Sequence, residues 1–130
     1  MSSTPEDFLN FANVTLADVK ANEFSYRNAA SRAYYAAFHC CYAERSKCPE
    51  LKDDEIRGSH DKLYARFESL PLSDENNTLK AMAYVSKMMK TVRHKADYHI
   101  DTNFSKSDSE QQFRDAQGVL KNWKKIQLKP

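Results

Sequence analysis

Arg93, His94 and His99 stand close together in the segment Arg93-His94-Lys95-Ala96-Asp97-Tyr98-His99. A guanidinium stays charged at any pH a protein tolerates, whereas an imidazole changes charge near neutrality. Beside one phosphodiester these two groups supply what metal-free RNA cleavage requires. The neutral imidazole takes the proton of a ribose 2′-hydroxyl, and the guanidinium neutralises the phosphorane oxygens. A plainer arrangement is also open to Arg93. Asp97 lies four residues on, one helical turn away, and the two can form an ion pair that ties down a helix end. The orientation is the less favourable one, because the acid lies toward the C-terminus.

The element that carries these residues is a predicted fourth helix, from Ser73-Asp74-Glu75 to about Tyr98. Along it Leu79, Met82, Ser86, Met89, Arg93 and Ala96 or Asp97 follow a 3-4-3-4 spacing, one inward stripe at about 100° per residue. Lys80, Lys87 and Lys90 fall outside that stripe. Arg93 thus stands where the pattern calls for an apolar side chain, and its burial demands a carboxylate, a phosphate or a cleft. On an ideal helix Arg93 and His99 point about 120° apart. They converge only if the helix loosens after Asp97 or if two chains share the site.

Four further helices are predicted around this one. The first opens at Thr4-Pro5-Glu6-Asp7, a cap, a proline and acids facing the dipole, and runs to about Ala21. Its apolar set is Phe8, Phe11, Leu16 and Val19. The second covers about Glu23 to Ser46, with Phe24, Ser31, Tyr34, Tyr35, Phe38, Cys41 and Tyr42 at helical spacing and alanines between them. Lys47 to Arg57 reads as a loop. A short third helix follows Ser59 with Leu63, Tyr64, Phe67 and Leu70, and Pro71 ends it. After a loop through Asn103 and Phe104, the last helix opens on the capping box Ser107-Asp108-Ser109-Glu110 and carries Phe113, Ala116, Leu120 and Trp123. The expected fold is all-α: a single domain over residues 1–130, an antiparallel up-and-down bundle of four main helices plus one short helix.

Composition agrees. The chain has 130 residues, 41% of them hydrophobic, with two glycines and four prolines, too few for the turns of an all-β protein. Cys40, Cys41 and Cys48 form neither a disulfide framework nor a CxxC pair, so reduced thiols are expected. No basic region followed by an apolar run opens the chain, and no stretch approaches ~18 apolar residues. The expectation is therefore no signal peptide, no membrane span and a cytoplasmic location. Net charge is +2 but uneven. Residues 1–23 set Glu6, Asp7, Asp18 and Glu23 against Lys20, a net −3. Residues 79–106 set six cations against Asp97 and Asp101, a net +4. A basic half is compatible with RNA, although an ordinary solvated lysine face has the same composition.

The other polar candidates are His60 at a helix start, His39 beside Cys40 without a second cluster at metal spacing, and Arg32, read as an outward side chain. Tyr34 and Tyr35 read as core or dimer-interface residues, with one hydroxyl able to face the Arg93 cleft. No Walker loop, Rossmann fingerprint or nucleophile triad is present.

Three blocks together resemble a known family. Ser31-Arg32-Ala33-Tyr34-Tyr35-Ala36-Ala37-Phe38-His39 is similar to the helix-two signature of HEPN domains. Arg93 to Tyr98 matches the "R..ADY" element of their small stand-alone prokaryotic branch, and His60 with Phe67 resembles a further feature of that branch. The resemblance spans roughly residues 5 to 125. It implies an endoribonuclease of the toxin or defence type that acts as a homodimer, two Arg-X4–6-His motifs meeting in a cleft, here as Arg93 and His99. Arg93 would stabilise the transferring phosphate, His99 would act as general acid and base, and His94 would assist. Asp97, Tyr98, Lys95, Arg32 and Tyr35 would bind RNA or support the site. No cofactor and no metal are implied. RNA and an antitoxin or nucleotidyltransferase protein are the implied partners. Other HEPN groups are non-catalytic modules that bind protein, nucleotide or RNA, and this is the alternative the resemblance leaves.

Overall fold

A computed structural model describes residues 2–51 and 58–129. Among these residues the chain is all-helical, with five α-helices: α1 (Pro5–Ala17), α2 (Glu23–Ala43), α3 (Ser59–Glu68), α4 (Asp74–Tyr98) and α5 (Lys106–Gln127). A short 3-10 turn, Arg45–Lys47, follows α2. The rest of the predicted loop up to Arg57 lies partly outside the described residues.

Helix α2 is the central element, packed against α1, α4 and α5. Contacts fix the directions. Phe8 meets Tyr35 and His39, and Arg27 meets Ala96 while Cys41 meets Ser86, so α1 and α4 both run antiparallel to α2. Trp123 donates to Glu44 at one end while Phe104 packs on Ala30 at the other, so α5 runs parallel to α2. The four long helices therefore alternate up and down, and α3 lies against α4.

Alanine explains the close packing on α2. Ala29, Ala30, Ala33, Ala36 and Ala37 are buried, and without long side chains they let three neighbouring helices approach one backbone. The aromatic residues placed in the predicted stripe divide instead: Tyr34 is buried, but Phe24 is 77% and Tyr42 45% exposed. On α1 the core takes Ala12, with Phe8, Leu9 and Leu16 packed against it, whereas Phe11 faces solvent, as does Val19 beyond the helix end. The predicted stripes of α3, α4 and α5 hold, with Leu63, Tyr64, Phe67, Leu79, Met82, Ser86, Met89, Ala116, Leu120 and Trp123 all buried.

Three boundaries differ from the sequence expectation, each for a local reason. Helix α1 stops at Ala17 rather than Ala21, because the Asp18 carboxylate accepts from the Lys20 amide and its carbonyl from the Ala21 amide. Helix α2 stops at Ala43, where the Glu44 amide turns back to the carbonyls of Cys41 and Tyr42. Helix α5 starts one residue before the expected cap. Its capping box is Ser105 with Asp108, and Ser109 is buried.

Cations from elsewhere in the chain close the C-termini of α3 and α4 and hold the turn that follows α2. Arg27 of α2 is buried and donates to the carbonyls of Lys95, Ala96, His99 and Thr102 at the end of α4, while Glu23 holds its other edge. Arg66 of α3 donates to the carbonyls of Arg45, Cys48 and Pro49 past the end of α2. Lys80 of α4 donates to those of Glu68 and Leu70 at the end of α3. Orphan carbonyls and the negative end of the dipole both favour such donors.

Candidate functional site

Arg93 leaves the inward stripe of α4 near its end, and its side chain is 12% exposed. The guanidinium carbon lies 5.3 Å from the Tyr34 ring centroid and 5.8 Å from that of Tyr35. Ring faces of tyrosine attract such a cation. The predicted pair with Asp97 is present but long, 3.6 Å from Nη1 to Oδ2. The same carboxylate oxygen accepts from the Ser31 hydroxyl at 3.2 Å. The Arg93 Nε is buried without a hydrogen-bond partner.

Arg32 joins this cluster, contrary to its expected outward position. Its guanidinium carbon is 5.1 Å from the Tyr35 centroid, its Nη2 reaches the Ser31 hydroxyl at 3.5 Å, and its Nε too is buried and unpartnered. The half-buried Tyr35 ring is the group that both guanidiniums share.

His60, at the start of α3, closes the cluster from the third side. Its ring stacks on Phe38 at 4.0 Å and its Nδ1 meets the Tyr34 hydroxyl, which also meets the Tyr64 hydroxyl at 2.8 Å. Both tyrosines are buried, and a buried O–H donor without an acceptor is costly. The chain is satisfied when Tyr64 donates to Tyr34 and Tyr34 donates to Nδ1, which leaves the His60 proton on Nε2. Burial, then the positive charges of Arg93 and Lys90, hold the His60 imidazole below its ordinary value, so it favours the neutral form. Burial does the same to His39 and raises both tyrosine hydroxyls.

His94 and His99 lie elsewhere. Their rings meet edge to face at 5.4 Å, and His94 also packs on Tyr98 at 4.8 Å. With Lys90, Thr91, Val92 and Lys95 they line a shallow groove in which Arg93 takes no part. His99 is the residue that ends α4, and its carbonyl is gripped by Arg27 at 3.1 Å. Within one chain the structure thus brings Arg93, Asp97, Arg32 and Tyr35 together and sets His94, Lys95, Tyr98 and His99 on an adjoining exposed face.

Two of these features were missed by sequence reasoning. Arg27 precedes Ser31, Tyr34, Phe38 and Cys41 at the same 4-3-4-3 spacing that singled out Arg93, so the signal was there. The convergence of Arg32 and His60 on Arg93 had no local signal, since it depends on how α2, α3 and α4 pack.

The lysines of α4 are largely committed inside the chain: Lys87 pairs with Glu68 at 3.1 Å and Lys90 with Asp61 at 2.8 Å. All three cysteines are free and buried, and burial pushes the Cys41 thiol up to about 12. Among the described residues no group of three or more His, Cys, Asp or Glu side chains is placed to hold a metal ion, and no helix is long and apolar enough to cross a membrane. The fold and the site define an all-α helical bundle with a cationic aromatic cluster where α2, α3 and α4 meet. No family model, no curated protein and no solved structure matches the chain.

Proposed function

We propose that this chain is a HEPN-type endoribonuclease that cleaves single-stranded RNA without a metal ion, as a homodimer in the cytosol. One observation carries the reading. Arg93 is a largely buried guanidinium whose carboxylate contact is long and whose Nε is unpartnered, so most of its donor capacity is unspent. Such a group costs folding energy unless an anion completes it. The imidazole pair His94–His99 lies on the next face of the same helix end. In the proposed step a neutral imidazole of that pair takes the 2′-hydroxyl proton and the 2′-oxygen attacks phosphorus. The bond to the 5′-oxygen breaks, and that oxygen receives a proton from the protonated imidazole. Arg93 of the partner chain neutralises the pentacoordinate phosphate. The step is written for a homodimer, because the groove that His94 and His99 line within one chain does not include Arg93.

Cleavage of single-stranded RNA in EDTA tests this. Arg93→Ala and His99→Ala should each lower the rate by about 100-fold or more, the usual scale for losing a phosphate-stabilising donor or an acid–base group. Full activity in both variants removes the mechanism. A non-catalytic binding or regulatory module is the second reading, favoured by the Ser31–Asp97–Arg93 tie, which joins α2 to α4 whether or not RNA is cut. Under it His99→Ala is silent and Arg93→Ala acts on stability.

A further inference from the structure

Arg93 is placed by a tyrosine, and that tyrosine is placed by a histidine. The guanidinium carbon lies 5.3 Å from the Tyr34 ring centroid, while the hydroxyl at the tip of the same ring lies 2.5 Å from His60 Nδ1. The His60 ring is itself fixed, stacked on Phe38 at 4.0 Å and on Tyr34 at 5.7 Å. One rigid ring thus carries a cation at its face and a hydrogen bond to a titratable group at its tip. Tyr34 is fully buried, so its hydroxyl cannot turn to water for another acceptor. A proton added to Nδ1 removes the acceptor. The hydroxyls must then part from the imidazole, or turn round and deprive Tyr64 of the acceptor it has in Tyr34. The charged groups facing His60 are Arg93 and Lys90 from α4 and Asp61 from α3, with His39 of α2 the other imidazole. Lys90 and Asp61 pair with each other at 2.8 Å, so among the described residues Arg93 is the charge that a protonated His60 confronts. Burial, then the two cations, already favour the neutral ring.

We infer that His60 is a positioning residue for Arg93: in its neutral form it holds the Tyr34 ring against the guanidinium, and on protonation it lets both go. The proton acts twice in one direction, since the ring loses its tether and the new cation repels the old one. Arg93 is then left to Asp97 and the Tyr35 ring. The site is thereby formed in neutral solution and loosened in mild acid, apart from any imidazole that takes part in chemistry. That the loosening lowers cleavage rests on the proposed function; the coupling of His60 to Arg93 does not.

The buried Arg93 Nε–H reports on this directly by NMR, and the His60 ring protons give the histidine's own titration. Between pH 7.5 and pH 5, a window above the ordinary carboxylate range, both signals are expected to move with one midpoint. His60→Asn keeps an acceptor for Tyr34 and cannot titrate, so the Arg93 movement should fall by about fivefold or more. Tyr34→Phe keeps the ring and the charges but loses the hydroxyl, and should remove about half of the movement or more. A histidine that only supports the fold ties Arg93 to pH in neither way. The cleavage rate of the wild type relative to His60→Asn should drop about tenfold across the same window, a ratio from which His94 and His99 cancel. A His60 ring that stays neutral to pH 5, an Arg93 signal that ignores its titration, or movement undiminished in either variant overturns the inference, as does a flat rate ratio in an active enzyme. Should one variant fail to fold, the other and the two wild-type midpoints decide. Coupled movement without any RNA cleavage sinks the proposed function alone. Cleavage that needs Arg93 without coupled movement sinks the inference alone.

Discussion

His60 shows how a single residue couples the site to stability. Its Nδ1 is the acceptor at the end of the Tyr64–Tyr34 chain, so adding a proton there destroys the last hydrogen bond and sets a third positive charge near Arg93 and Lys90. The folded imidazole is therefore harder to protonate than the unfolded one. The unfolded state then binds more protons as acid is added, and stability present above pH 6.5 is lost as pH falls through the depressed value. His60→Asn keeps an acceptor and cannot titrate. The wild type is expected to lose its advantage over this variant between pH 7.5 and pH 5, by under about 1 kcal/mol given partial solvent screening. Urea unfolding at the two pH values measures it. A gap that stays constant or widens in acid would show that protonated His60 is tolerated. His39 is present in both proteins, so its own depressed value cancels from the difference.

At the scale of the elements, the helix ends are what the sequence concealed and the helix faces are what it displayed. The stripes of α3 to α5 were legible because large apolar side chains recur at helical spacing on one side only. Helix α2 was legible in part: its alanines mark a close approach, but because it packs on three sides Phe24 and Tyr42 of its expected set are left exposed. The start of α5 offered two overlapping Ser-x-x-acid patterns. The fold selects Ser105 because Arg27 and Glu23 pin the carbonyl of Thr102 and the amide of Phe104, fixing where the chain must turn. Arg27 thus ends one helix and sets the start of another. Arg27→Met retains much of the side-chain bulk but leaves the carbonyls of Lys95, Ala96, His99 and Thr102 without their donor. The expected cost is about 2–4 kcal/mol, since bonds to a charged donor are each worth more than neutral ones. Amide exchange should report it most strongly at residues 99–105, ahead of the α2–α4 core. Uniform exchange with unchanged stability would show that water replaces the guanidinium without loss.

For the molecule as a whole, the proposed cleavage step needs two chains. The groove that holds His94 and His99 opens on one face of α4, while Arg93 turns toward Tyr34 and Tyr35 on another. If both groups serve one phosphate, a second copy must supply one of them across a two-fold axis, where each site takes Arg93 from one chain and His99 from the other. This geometry makes a prediction that no single-chain site can imitate. Arg93→Ala and His99→Ala chains, each inactive alone, should recover cleavage when mixed and allowed to exchange partners. Half the dimers are then mixed and each has one intact site of two, so about a quarter of wild-type activity returns. Adding the two variants in unequal amounts should lower the yield as the mixed fraction falls. Were the two chains inert at every ratio, although light scattering showed them to be dimers that exchange, Arg93 and His99 would not share a site. The catalytic imidazole would then have to be sought among the groups already beside Arg93, with His60 the first to replace.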